Sequence, residues 1–557
     1  KIGREIVKKC KGLPLAAKTI ASLLRSKSTE KEWQNILENE IWELEAIKKG
    51  LLAPLLLSYN ELPSKVKQCF TYCAVFPKDY DIQKEELIEL WMAQGYLSEK
   101  GAKEMEDIGA EYFNILASRS FFQDFDRGDD GEISNCKMHD IVHDFAQYLC
   151  SNECLTVEIH SGSSEESTMS SFEEKKIRHL MLIVRGRASV PISIWDNVKG
   201  LRGLRSFLVK SDEYSWSSEV LPQLFDKLTC LRALNLKVRK PWSSVNDIKE
   251  IPTNIEKLLH LKYLNLKSQN KIEKLPETLC ELHNLERLNV DDCENLRELP
   301  RGIGKLRKLM YIDNDDTDSL RYLPVGIGEL IRLRRVTKLV VGGGYDRACS
   351  LGSLKKLNLL RECTIRGLGG VSDAGEARRA ELEKKKNLDE DERLLEALGP
   401  PPNLKKLQIY DYRGRRNVVP KNWIMDLSLF RCRNCEHLPP LGKLPSLEYL
   451  EIEGMQSVKR VGNEFLGVES DTDGSSVIAF PKLKKLEFRN MEELEEWDCG
   501  TAIKGEIIIM PRLSSLSIQS CPKLKALPDH LLQKSTLQKL EIWGCPILKE
   551  RVSCYFY

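Results

Sequence analysis

Apolar residues recur in two rhythms along this chain, and the change from one to the other divides it. In the N-terminal part they fall at helical spacing. Ile2, Ile6, Val7 and Cys10 form one stripe, Leu15, Ile20, Leu23 and Leu24 a second, and Trp33, Ile36, Leu37, Ile41 and Trp42 a third. Gly12-Leu13-Pro14 separates the first two, and Pro14 can open the second helix because a first helical turn tolerates a missing N–H. The same rhythm runs through Leu55, Leu56, Tyr59 and Leu62, then Val66, Cys69, Phe70 and Cys73, and on through Lys84–Gly95, Met105–Phe113 and Leu116–Phe122. Phe122–Met138 reads as a charged two-stranded turn around Gly128-Asp129-Asp130-Gly131. Lys137–Leu149, KMHDIVHDFAQYL, then predicts an amphipathic helix with Met138, Ile141, Val142, Phe145 and Leu149 on its buried stripe. His139, Asp140, His143 and Asp144 lie largely off that stripe. Helices closed by a hairpin predict a winged-helix module.

After a serine-rich linker at Ser161–Ser171 and a strand-like Ile177–Val184, the second rhythm begins. Ile251-Pro252, Leu275-Pro276, Leu299-Pro300 and Leu323-Pro324 recur at 24-residue intervals. Between them stand Leu258, Leu261, Leu264 and Leu266, then Leu282, Leu285, Leu288 and Val290. This is the spacing of a leucine-rich repeat, with Cys293 where such a repeat places its buried turn-forming residue. One unit cannot bury its own apolar face, so the units must stack into a solenoid. A concave strand face carrying Arg287, Asn289, Asp291 and Asp292 in one repeat would supply a polar surface able to bind a partner. Later strands at Leu407, Leu450, Leu486, Leu516 and Leu540 are spaced by 43, 36, 30 and 24 residues, which implies longer excursions. Ser372–Leu398 and Gly467–Ser476 are the expected ones, the first read as a solvated helical excursion.

Composition narrows the function without naming it. The 557 residues carry 85 basic and 83 acidic side chains, so a net charge of +2 gives no reason to expect nucleic acid as a partner. Seventeen cysteines without a dense framework, and no apolar run long enough for a membrane span, point to a reduced, intracellular, soluble protein. The chain opens at Lys1 in what reads as the middle of a domain, so an N-terminal truncation is expected.

Few motifs carry chemistry. No Gly-x-x-x-x-Gly-Lys-Ser/Thr phosphate loop occurs; Gly302-Ile-Gly304-Lys305 falls among repeat leucines and reads as a repeat turn. Gly342-Gly343-Gly344 ends a strand and opens no helix. Cys432 and Cys435 lack a second pair for zinc and read, like Cys69 and Cys73, as small apolar fillers. His139-Asp-Ile-Val-His143 puts two imidazoles one helical turn apart, as in a zinc hydrolase. Asp140, however, stands where that pattern wants Glu, and a third ligand would have to come from Glu158, His160 or Glu165. The other reading makes Met138-His139-Asp140 a nucleotide-sensing corner.

Several blocks, in order, resemble one family. Gly12-Leu13-Pro14-Leu15-Ala16 is similar to the GLPLA motif of plant intracellular immune receptors of the coiled-coil nucleotide-binding, leucine-rich-repeat class. Cys69–Pro77 and Leu90–Gly95 resemble blocks of its non-TIR branch, and Met138-His139-Asp140 resembles its MHD motif. The resemblance implies an α+β multidomain chain. Residues 1–49 would be the helical end of an NB-ARC nucleotide-binding region, 50–158 a winged helix, 159–176 a linker and 177–557 an α/β leucine-rich-repeat solenoid. It implies that Pro14 and Leu15 meet the adenine of ADP, and that His139, with Asp140 supporting its geometry, reaches the β-phosphate. ADP/ATP exchange would release the winged helix and permit oligomerisation. With the phosphate loop missing, little nucleotide is expected to stay on this chain alone, and no enzyme turnover. Implied partners are a pathogen effector or guarded host protein, and the nucleotide-binding region itself, with localisation cytoplasmic, or membrane-associated or nuclear after activation. A stand-alone leucine-rich-repeat scaffold is the alternative reading and a zinc hydrolase using His139 and His143 the remote one.

Overall fold

A computed structural model describes residues 2–43, 53–98, 103–128, 131–160, 176–185, 199–211, 220–238, 248–340, 348–349, 356–366, 404–410, 424–433, 435–467, 477–498, 507–532 and 536–552. The expected excursion at Ser372–Leu398, the Gly342–Gly344 run and the Ser161–Ser171 linker fall outside them. These residues divide into two compact units, Lys1–Ile248 with Asn254–Ser268, and Lys249–Thr253 with Gln269–Tyr557.

The first unit starts with helices Ile2–Lys9, Pro14–Leu24 and Glu30–Leu37. Ile6, Ala16, Ile20, Leu23 and Ile36 share one buried cluster with Leu57 of the helix Ala53–Asn60, so the three predicted stripes converge. Pro14 takes the first helical position as expected, and Thr29 with Glu32 closes a reciprocal capping box that starts the third helix.

Helices Ser64–Tyr72, Lys84–Gln94, Met105–Ser118 and Asp140–Leu149 surround an aromatic centre in which Phe70 lies 4.5 Å from Phe121 and 5.9 Å from Phe145. The Trp91 indole N–H donates to the Cys69 carbonyl at 3.0 Å, fixing one helix against another through a buried polar pair. The hairpin is present: β2 (Gln123–Arg127) pairs antiparallel with β3 (Ile133–Lys137). A short strand missed in the sequence, β1 (Ile82–Gln83), pairs on the other side of β3 with Ile82 opposite Cys136. Two residues are too few to show an alternation.

The parallel array begins earlier than the serine-rich linker suggested. Strand β4 (Cys154–His160) pairs with β5 (His179–Arg185), Cys154 opposite His179. β6 (Ser206–Ser211), β7 (Ala233–Asn235) and β8 (Tyr263–Asn265) follow in parallel. The boundary placed at residue 158 therefore cuts a strand, whose buried Cys154, Val157 and Ile159 belong with the repeats.

In the second unit each repeat gives one strand. β9 (Arg287–Asn289), β10 (Tyr311–Asp313), β11 (Arg335–Val340), β12 (Glu362–Arg366), β13 (Lys406–Tyr410), β14 (Asp426–Phe430) and β15 (Tyr449–Glu453) are parallel, each paired with the next. After the two-residue β16 (Arg460–Val461) and the outer β17 (Val477–Ala479), β18 (Lys485–Arg489) continues the array. Beyond the outer β19 (Glu496–Trp497) and β20 (Ile507–Ile509), β21 (Ser515–Gln519) and β22 (Lys539–Trp543) complete it. Leu288, Ile312, Leu427, Leu450, Leu486 and Leu516 are all buried at the equivalent strand position. The 43-residue interval read between Leu407 and Leu450 is in fact two units, because Leu427 and Leu429 form the strand between them.

The proline that follows each repeat leucine precedes a 3-10 turn, at Glu277–Glu281, Arg301–Lys305 and Val325–Glu329. Gly302-Ile-Gly304-Lys305 is one of these. A Cβ on Gly304 would come 2.8 Å from the Gly326 carbonyl oxygen, so glycine is there to let successive turns touch.

Candidate functional site

The corner singled out by the sequence sits where β3 hands over to the helix Asp140–Leu149. Met138 is buried and anchors the strand end, while His139, extended at φ −65° and ψ 142°, caps the helix. Its Nδ1 accepts the Ile141 N–H at 3.2 Å. A neutral imidazole that accepts at Nδ1 carries its proton on Nε2. The cap thus fixes the tautomer and leaves His139, which is only half-buried, with an N–H donor at the positive end of a ten-residue helix. Asp140 is exposed in the first turn. Asp144, one turn on, pairs with Lys78 at 2.7 Å across to the Phe76–Tyr80 segment.

His143 does not lie on the open side of this helix, as its place off the leucine stripe suggested. It is buried, and its Nε2 donates to the Phe76 carbonyl at 2.7 Å. His139 uses Nδ1 for the helix cap and His143 uses Nε2 for a core carbonyl. Among the described residues no group of three or more His, Cys, Asp or Glu side chains is placed to hold a metal.

Pro14 and Leu15 lie on a different element. Pro14 is exposed at the start of its helix beside the exposed Leu13, and Leu15 is half-buried. Among the described residues no hydrogen bond joins them to His139. A polar tie from that helix to the winged helix is Ser22 to Ser120, 3.1 Å between hydroxyls. An exposed proline with a half-buried leucine beside it suits the flat face of a base, and a capped histidine suits a phosphate oxygen. The chemistry of these residues is compatible with a nucleotide, and they lie on separate elements, Pro14–Leu24 and Asp140–Leu149 with its cap.

Sequence reasoning missed a second polar centre, between the winged helix and the first parallel strands. Ser206 is fully buried; it accepts from Gln94 Nε2 at 3.0 Å and also meets the Tyr72 hydroxyl at 3.2 Å and His179 Nδ1 at 3.0 Å. Burial first, then the positive charges of Arg205, Arg178 and Arg232, push His179 down to about 3, which keeps it neutral. A Ser–His contact can mark a nucleophile, but this hydroxyl has no access to solvent and serves packing. Beside it Arg232 donates to the Gln94 carbonyl at 2.8 Å, and Glu86 accepts from Asn235 at 2.6 Å and Lys237 at 2.5 Å. No sequence signal links residues this far apart.

The strand face also differs from expectation. Arg287 is buried, stacked 4.1 Å from the Tyr311 ring and paired with Asp313, which also holds Arg335 at 2.7 Å. Asn289 accepts the Asp291 N–H at 3.0 Å, Asp291 accepts that of Asp315 at 2.8 Å, and Asp292 is buried at φ +57°. These residues hold successive repeats together more than they offer a free surface. Further along, Tyr449 donates towards Glu451 and Glu487 at 3.1 and 3.3 Å, and Arg489 pairs with the same two carboxylates. Burial raises the Glu451 carboxyl above its ordinary value.

Residues 75–146 match the family model described as the disease resistance protein winged helix domain, and residues 203–541 match a leucine-rich repeat region. The sequence is 40% identical over 515 residues to the resistance protein RGA1 of Solanum bulbocastanum, covering 88% of this chain and 46% of that protein. It is 37% identical over 551 residues to disease resistance protein RGA2 of the same species, covering 94% and 50%. Among solved structures, an internalin from Listeria monocytogenes matches at a TM-score of 0.35 and 13% identity, covering 67% of this chain and 88% of that one. The chain spans about half the length of the curated relatives it matches.

Proposed function

Because this chain belongs to the plant disease resistance proteins that carry a winged helix ahead of a leucine-rich repeat region, we propose that it is the switch and recognition part of an immune receptor. The observation that carries this reading is the cap at His139. Its Nδ1 is occupied by the Ile141 N–H, so the one ring proton is presented at Nε2. A donor fixed in this way binds a β-phosphate oxygen of ADP only when the nucleotide-binding region is docked beside it, and such a contact biases the docked arrangement. Pro14 and Leu15 pack against the base, and Asp140 keeps the first helical turn in place. Bound nucleotide supplies the charge that His139 reads.

The repeats bind protein, either a pathogen effector or a guarded host protein, and also rest on the nucleotide-binding region before activation, which is followed by oligomerisation. The receptor works from the cytoplasm. Among the described residues no helix is long and apolar enough to cross a membrane. A stand-alone scaffold would need no donor at His139.

The test uses a chimaera in which this chain replaces its matching segment in the Solanum bulbocastanum RGA2 relative. His139→Ala is expected to weaken ADP retention by about tenfold, the worth of one charge-assisted hydrogen bond. Equal ADP content in the purified variant and parent would overturn the assignment.

A further inference from the structure

The helix Ser64–Tyr72 runs on into a 3-10 turn at Cys73–Val75, and Phe76-Pro77 ends it. The last carbonyls of a helix have no N–H of their own helix to receive. Here three in succession, on the buried Ala74, Val75 and Phe76, are taken by side chains from elsewhere. Gln147 Nε2 donates to the Ala74 carbonyl, the Thr156 hydroxyl to the Val75 carbonyl at 3.0 Å, and His143 Nε2 to the Phe76 carbonyl at 2.7 Å. His143 and Gln147 stand one turn apart on the helix that His139 caps, so they face the same way. Thr156 belongs to β4, the first strand of the parallel array. Two contacts flank the three: Asp144 pairs with Lys78 at 2.7 Å, and Cys154 Sγ donates to the Thr71 carbonyl at 3.9 Å.

The chain itself makes a second link. Residues 150–153 alone separate the helix from β4, and they turn tightly through Ser151 at φ 48° and Asn152 at φ 67°. Rotating the helix about its axis would draw His143 and Gln147 off their carbonyls, and shifting the turn would take Val75 from Thr156. A buried carbonyl left unpaired is costly, so helix, turn and strand move as one body. The contact of Phe145 with Phe70 packs the same helix into the core, but apolar packing has no direction, and the three hydrogen bonds are what fix its rotation.

From this geometry we propose that Thr156, Gln147 and His143 are positioning residues for the nucleotide contact of His139, clamping its helix to the first repeat strand through the three carbonyls of one turn. The clamp rests on the nucleotide reading of His139 and supplies its connection to the repeats. While Thr156 holds Val75, the helix start keeps the orientation in which His139 Nε2 meets the phosphate. A protein partner that shifts β4 withdraws Thr156, frees the turn and releases His143 and Gln147, and the donor at His139 swings away. Nucleotide and partner thus bias the same two-state element from its two ends.

The test is the rate at which ADP leaves the purified RGA2 chimaera. Thr156→Val keeps the branched shape and removes the hydroxyl, and is expected to speed release about fivefold, the worth of one hydrogen bond. Gln147→Met is expected to act in the same direction, while Thr156→Ser, which keeps the donor, releases ADP at the parent's rate. Added to His139→Ala, Thr156→Val should cause no further change, because it acts through that histidine. Trp91→Phe removes a buried hydrogen bond to the Cys69 carbonyl, away from the three clamped carbonyls, and should leave the rate unaltered. The parent's rate in Thr156→Val, alongside faster release in His139→Ala, would overturn the clamp and leave the nucleotide reading standing. The parent's rate in His139→Ala would remove both. Release as fast in Trp91→Phe as in Thr156→Val would reduce the effect to general destabilisation and overturn the clamp as well.

Discussion

At the scale of single residues, two histidines show how local surroundings set opposite roles. His139 spends Nδ1 on the helix cap, and its Nε2 is the donor in the nucleotide contact proposed above. Its replacement by alanine should also cost about 1 kcal/mol of stability through the lost cap alone. His179 has no such freedom. Held near Ser206 among Arg178, Arg205 and Arg232, it stays neutral down to about 3 in the folded protein. The unfolded chain takes up that proton near the ordinary histidine value of about 6.5. The unfolded state therefore binds more protons between the two values, and stability falls as pH drops from about 6.5 towards 3. The melting temperature should decline across this range more steeply in the parent than in His179→Gln. Parallel curves for the two proteins would remove His179 from the account.

At the scale of elements, the repeat turns give a sharp test. Gly304 and Gly326 face each other across successive 3-10 turns, and a Cβ on either would come within 2.8 Å of the other's backbone. Gly304→Ala should therefore cost about 1–3 kcal/mol, read as a lower midpoint in urea, without any change in nucleotide or metal binding. Unchanged stability would mean that the turns are not in contact. These elements also show what the sequence could and could not reveal. The 24-residue period, the helical stripes and the charged hairpin were legible because burial repeats at a fixed interval, and each leucine position from Leu264 to Leu516 that the pattern marked is buried. Strand β14 was passed over although Ile424, Leu427, Leu429 and Cys432 keep the repeat spacing and are buried, because isoleucine stands where the earlier units have leucine. Strand β1 was too short to show a period, and β4 ran into a composition boundary. In the candidate site, His139 was legible through its motif. The burial of His143 and the Ser206 centre were not, since both depend on residues brought together across more than sixty positions.

At the scale of the molecule, the central claim is that a histidine-capped helix start in the winged helix reports nucleotide state and holds the leucine-rich receptor off. Asp140 follows that cap directly and is exposed, so its replacement can disturb the corner while leaving the core intact. The most direct measurement is a leaf cell-death assay of Asp140→Val in the RGA2 chimaera, at accumulation matched to the parent and with no effector supplied. Effector-independent cell death is the predicted result, while a variant as silent as its parent would contradict it.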